Sequence, residues 1–153
     1  MPALSRIFKA ANVITLLAWV ALITSLFLDN YRAEIHQALF SVVIFALSAL
    51  YTYLMFFGRH LDQPGESPRG HFRSLSGVMS LFKSPRAVLA GWIHYLAFDL
   101  LAGILITQHA LQQGISAFLL VPVLLLTLML APAGLASYFV LFLILEQQWL
   151  MAL

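Results

Sequence analysis

The chain contains no cysteine and very little charge. Without a thiol it can form no disulfide, thiolate metal site, Cys-ligated iron–sulfur cluster or cysteine nucleophile. Charged residues make up 9% of its 153 positions, where soluble domains carry roughly 25%. The formal net charge is only +2, too small and too scattered for a nucleic-acid footprint. Phosphate-loop, dinucleotide-binding and serine-nucleophile signatures are also missing. There is no internal repeat and no low-complexity tract. What is present is apolar: 62% of the residues are hydrophobic, and the mean hydropathy is +0.94. A soluble fold has nowhere to bury that much apolar surface, so the class is an integral membrane protein.

Four apolar segments stand out, at about 10–28, 36–57, 87–107 and 117–145. Each reaches the ~20 residues that cross a ~30 Å hydrocarbon core as a helix. The first is too long for the apolar part of a signal peptide and is read as a span rather than a cleaved leader. The last contains Pro122 and Pro132, and a kink is expected near "LAPAGLASY"; the alternative, a split into two shorter segments, would leave neither half long enough to span. Gly134 beside it allows close approach of a helix or ligand. The expected fold is one all-α membrane domain over residues 1–153 with four transmembrane helices. Seven of the eight Lys and Arg residues lie in the N-terminal tail and the second loop, which predicts both termini and that loop on the cytoplasmic side. Within the loop, Leu75, Val78, Met79 and Phe82 recur at helical spacing. They predict a short amphipathic interfacial helix between spans 2 and 3. Ser84 followed by Pro85 reads as the capped entry to the third span.

The third span carries the residues that composition does not explain. In "GWIHYLAFDL", His94 and Asp99 lie at membrane depth, where ionisable groups are functional candidates by default. Five residues of helix leave them about 140° apart. Asp99 shares a stripe with Trp92 and Tyr95, and His94 shares one with Phe98 and Leu101. The competing reading is structural: a histidine and an aspartate bonded to neighbouring helices. Asn12 is expected to bridge helices, Arg86 to anchor in lipid headgroups, and Glu146, His60 and His71 to be solvated. Glu34, His36 and His109 lie towards the opposite side, but no ligand spacing supports a metal site there, and none is expected.

The stretch "LSGVMSLFKSPRAVLAGWIHYLAFDLLAG", followed by "APAGL" in the last span, resembles the plant abscisic-acid-deficient-four family, which is implicated in neoxanthin synthesis and has bacterial relatives. The resemblance rests on Leu75-Ser76-Gly77, Phe82, Trp92-Ile93-His94, Asp99-Leu100, Pro132 and Gly134. It covers the second half of the chain; the first two spans match only in hydropathy and placement. The absence of a plastid transit peptide departs from the plant pattern and implies a bacterial inner-membrane protein. The resemblance implies a carotenoid or other lipophilic partner and an isomerase of the neoxanthin-synthase type. His94 and Asp99 are then the catalytic acid and base, in either order. Trp92, Tyr95, Phe98, Pro132 and Gly134 are the substrate-binding residues. A polyene is about as long as the bilayer is thick, so a lipid-facing groove or a homo-oligomer interface is expected to hold it. The alternative is a non-enzymatic carotenoid-, lipid- or haem-binding or assembly protein, with His94 as an axial ligand in the haem case. The sequence specifies no cofactor.

Overall fold

The computed structural model describes residues 2–62 and 70–147. Every regular element among them is helical. Three helices are long and apolar enough to cross a membrane: α1, Pro2–Ser25; α2, Asp29–Leu61; and α4, Pro85–Gln112. Between α2 and α4 lies the short α3, Leu75–Leu81. The chain then continues as two shorter helices, α5, Ala117–Met129, and α6, Ala131–Glu146.

The second expected span lies within α2, and most of the first lies within α1, which ends at Ser25, short of the expected 28. α1 begins earlier than the apolar pattern, so Arg6 and Lys9 ride on the helix rather than on a tail. α2 contains two widened π-helical stretches, Leu39–Ile44 and Tyr53–Phe57. α3 forms where its spacing predicts, with the Ser74 hydroxyl accepting from the Gly77 N–H at 3.1 Å. Ser84 caps α4 by accepting from Ala87 N–H at 3.4 Å, and Pro85 sits in the first turn, where its missing N–H costs nothing.

α4 is the central element. In its most apolar stretch 56% of residues are buried, against 28% in α1 and 17% in α2. Two clusters pack on it. Leu47, Leu54, Leu89, Ala90 and Ile93 join α2 to its first half. Trp19, Leu22, Leu100, Ile104, Leu120 and Leu124 join α1 and α5 to its second half. Gly103 makes the α1 contact close: a Cβ there would sit 2.6 Å from the Trp19 ring.

The last apolar stretch departs from the expected single kinked span. The helix breaks at Leu130 (φ −154°, ψ 84°). Proline is the reason. Inside a continuous helix Pro132 would leave the Leu128 carbonyl without its donor and clash with it. Starting a new helix at Ala131 places Pro132 in the first turn, and the Ala133 and Gly134 N–H groups close onto Leu130 O at 3.0 Å each. α6 then folds back along α5. The backbones meet at Gly134, where a Cβ would lie 2.0 Å from Thr127 Oγ1 and 2.4 Å from its Cα.

The pair is therefore a hairpin with its tip against the middle of α4. The tip residues Met129 and Ala131 neighbour Tyr95 and Asp99. Further along α6, Tyr138 and Phe142 pack on His109 near the end of α4, with ring centroids 5.8 and 5.2 Å away. α6 thus runs the same way as α4, and its end lies on the same side as the α4–α5 turn. Expecting both termini on one side presumed a single fourth span; among the described residues that stretch is two helices of 13 and 16 residues, shorter than the three helices long enough to cross a membrane.

Two outcomes follow. Gly134→Val should lower stability in detergent by on the order of 1–3 kcal/mol through overpacking, read as a lower thermal midpoint. Because the chain has no cysteine, Gln113→Cys and Glu146→Cys can be labelled singly in intact membrane vesicles. Both should react from the same side; reaction from opposite faces would mean that the last helices cross the membrane.

Candidate functional site at the hairpin tip

Tyr95 and Asp99 are one turn apart on α4, and each faces one broken end of the hairpin. The Tyr95 hydroxyl donates to the carbonyl of Met129, the last residue of α5. Asp99, one turn further on, lies near the Tyr95 hydroxyl and Ala131, the first residue of α6. The local sequence offers no cap of its own, since Leu130 has no polar side chain. Both groups therefore come from the neighbouring helix.

Proximity to the helix break does not by itself account for a carboxylate. Asp99 is 4% exposed and lies about 21 Å into α4. A charged carboxylate at that depth costs about 2.5–3.5 kcal/mol on the membrane-insertion scale, and a helix N-terminus returns at most about 2 kcal/mol. A neutral Asn or Ser would cap Ala131 more cheaply. The other carboxylate oxygen, Oδ2, is buried and has no hydrogen-bond partner among the described residues.

Tyr95 separates Asp99 from a lipid-facing groove of about 320 Å³ walled by Asn12, Thr15, Trp92, Tyr95 and Met129. Trp92 stacks on Tyr95 with ring centroids 5.4 Å apart and a 23° interplanar angle. Its indole N–H donates to Asn12 Oδ1 at 3.3 Å, so Asn12 bridges α1 and α4 as expected. A second, wider furrow of about 470 Å³ runs from Trp92 towards Leu4, Ser5 and Lys83. Trp92 is common to both.

The structure brings Trp92, Tyr95 and Asp99 together. It places His94 and Phe98 on another face of α4, with their rings 4.5 Å apart. His94 opens into a cavity beside Tyr51 and Phe82 rather than towards the Asp99 carboxylate. Pro132 is exposed in the first turn of α6, while Gly134 is buried against Thr127.

Arg86 corrects the headgroup-anchor expectation. It is 4% exposed and forms a two-point ion pair with Asp62, 2.8 Å from Nε to Oδ1 and 2.9 Å from Nη2 to Oδ2. It also donates to the Leu54 carbonyl, inside the second π-helical stretch of α2. This latch ties the end of α2 to the start of α4. His36 and His109 likewise separate. His36 Nε2 lies 2.9 Å from Ser25 Oγ, and His109 Nδ1 lies 2.6 Å from the Tyr138 hydroxyl. Among the described residues, no three His, Asp or Glu side chains gather as a metal site would require. The Arg86–Asp62 and His109–Tyr138 pairs join positions 24 and 29 residues apart, and no local pattern announces either.

These features define a class: an all-helical protein built for lipid, with a buried carboxylate at a helix break beside an aromatic groove. The chain belongs to the ABA DEFICIENT 4-like family, whose sequence model matches residues 6–138. No curated protein and no solved structure matches it.

Removing one partner of the latch leaves a buried charge unpaired. Arg86→Met should therefore cost about 3–5 kcal/mol, while the double variant Arg86→Met with Asp62→Leu recovers much of that loss. Thermal unfolding of the two variants beside wild type checks the coupling; equal losses would argue against a paired role.

Proposed function

We propose that the protein is a membrane enzyme that isomerises a carotenoid, with Asp99 exchanging protons through Tyr95 and the substrate held in the Trp92–Tyr95 groove. One observation carries this reading: the unpartnered Oδ2 of a buried aspartate directly behind an aromatic groove wall. Family membership supports a carotenoid as the substrate class.

The chemistry suits that arrangement. Turning an epoxy-carotenoid into an allenic alcohol moves protons with no net oxidation or reduction. The Tyr95 hydroxyl turns from the Met129 carbonyl and gives its proton to the epoxide oxygen while Asp99 gives its own to the phenol oxygen, and the C–O bond breaks. The positive charge left on the polyene end lies against the π faces of Trp92 and Tyr95, which favour a cation. The carboxylate just formed then takes a proton from the adjoining polyene carbon, again through Tyr95, and the allene is complete. One carboxyl serves as acid and then as base. A groove facing lipid keeps water from trapping the cation. His94 lies on another face and takes no part in this sequence.

A second reading has its own support. Tyr95 and Asp99 both serve the broken helix ends, a use that needs no turnover. On that reading the protein binds a pigment or lipid, or assists assembly.

The two part on one experiment. The protein is expressed in a bacterial host engineered to make epoxy-carotenoids, and pigments are compared by chromatography and mass. Wild type should yield a new isomer of unchanged mass, and Asp99→Asn should lower its yield at least a hundredfold while the protein still accumulates in the membrane. An unchanged profile with pigment co-purifying would sink the enzyme and favour the binding reading. Loss of the isomer in His94→Ala as well would bring His94 back into the chemistry.

A further inference from the structure

The furrow of about 470 Å³ beside Trp92 lies between the first turns of α1 and α4, and its two ends differ in chemistry. The helices run side by side in one direction. Phe8 meets Trp92, with ring centroids 5.8 Å apart, and Trp19 lies against Gly103. Both pairs are 84 residues apart, 92 − 8 and 103 − 19, and that common offset sets Ser5 level with Leu89. Buried Leu4 and Leu89 line the inner wall, and the Phe8–Trp92 ring pair marks the end furthest along the helices. Lys83 stands at the opposite end, in the turn between α3 and α4. The backbone holds that turn: the Lys83 N–H donates to Ser80 O at 3.4 Å, and the Ser84 N–H donates to Leu81 O at 3.1 Å. Among the described residues, Lys83 is the one charged side chain lining the furrow, and the ion pairs, Arg32–Asp29 and Arg86–Asp62, leave it without a carboxylate.

A furrow between two membrane-spanning helices is filled from the bilayer, so its apolar end takes an acyl chain whatever the lipid. The lysine adds a preference among lipids. An ammonium just before a span stands at headgroup level, where it attracts a phosphate as a point charge. A choline head carries its own cation beside the phosphate and gains less than a head of net negative charge. Ser5 adds a hydroxyl between the cation and the apolar end, where a phospholipid carries its ester carbonyls. We infer that the furrow between α1 and α4 is a binding site for an anionic phospholipid, with its phosphate on Lys83 and one acyl chain laid along Leu4 and Leu89 to Trp92. The inference rests on none of the Asp99 chemistry, and its ligand is a bilayer lipid rather than the molecule acted upon.

The test is native mass spectrometry of the purified full-length protein, released from nonionic detergent after incubation with equal amounts of phosphatidylglycerol and phosphatidylcholine of matched acyl chains. One phosphatidylglycerol should be retained in preference to phosphatidylcholine. Lys83 is exposed, so its replacement leaves the fold intact. Lys83→Gln should cut the preference about fivefold, the worth of one cation at an anionic lipid surface, and Lys83→Arg should keep it. Lys9→Gln removes an equal charge on α1 that does not line the furrow, and should leave the preference unchanged. Val88, 45% exposed on the furrow wall, can be enlarged to fill it, and Val88→Trp should lower retention of both lipids. Asp99→Asn should leave lipid retention intact, so failure of the Asp99 mechanism and failure of this site are told apart. Equal retention of the two lipids by wild type, wild-type preference in Lys83→Gln, or an equal loss in Lys9→Gln would overturn the inference.

Discussion

A helix broken at mid-membrane exposes backbone groups where no water can satisfy them, and each such group left alone costs several kcal/mol. The rest of this structure is arranged around that constraint. Pro132 forces the break, Gly134 lets the second arm fold back on the first, and α4 supplies the partners for the two exposed ends. Tyr95 meets the last carbonyl of α5, and Asp99 lies near Ala131, the first residue of α6. Because these residues are one helical turn apart, a single stripe on α4 serves both ends.

That arrangement also places reactive groups where a membrane protein rarely keeps them. Broken helices at membrane depth line binding sites in other membrane proteins because their ends present free polar groups to a ligand. Here the Met129 carbonyl is engaged by Tyr95, and among the described residues the Asp99 Oδ2 beside it is buried without a hydrogen-bond partner. Structural need accounts for a polar residue at position 99. It does not account for an acid there, because the dipole of α6 returns less than the carboxylate costs. The surplus is the physical basis for assigning chemistry to Asp99.

α4 presents different chemistry on different faces. One carries the Trp92–Tyr95–Asp99 stripe with Asn12 and the hairpin tip; another carries His94, with Phe98 beside it, at a cavity that Phe82 also lines. The Arg86–Asp62 latch fixes the start of α4 against the end of α2, which sets the width of the His94 cavity between them. The closely packed Gly103–Trp19 contact holds α1, and with it Asn12, against the other face.

Much of this was legible in the order of the residues. The apolar runs set the helical class, because a chain with 62% hydrophobic residues in lipid has no other way to satisfy its backbone. The cap at Ser84, the α3 segment and the two stripes on α4 follow from helical periodicity, which is local. The consequence of Pro132 was only partly legible. Proline guarantees a disturbed helix, but kink and hairpin differ by whether Gly134 finds Thr127, and that contact depends on two segments folding together. Arg86 looked like a headgroup anchor because its partner, Asp62, is 24 residues away across a polar loop. The separation of His94 from Asp99 was fixed by helix geometry at five residues. That Asp99 faces a helix end and His94 an aromatic cavity was decided by tertiary structure, because those partners come from other segments of the chain.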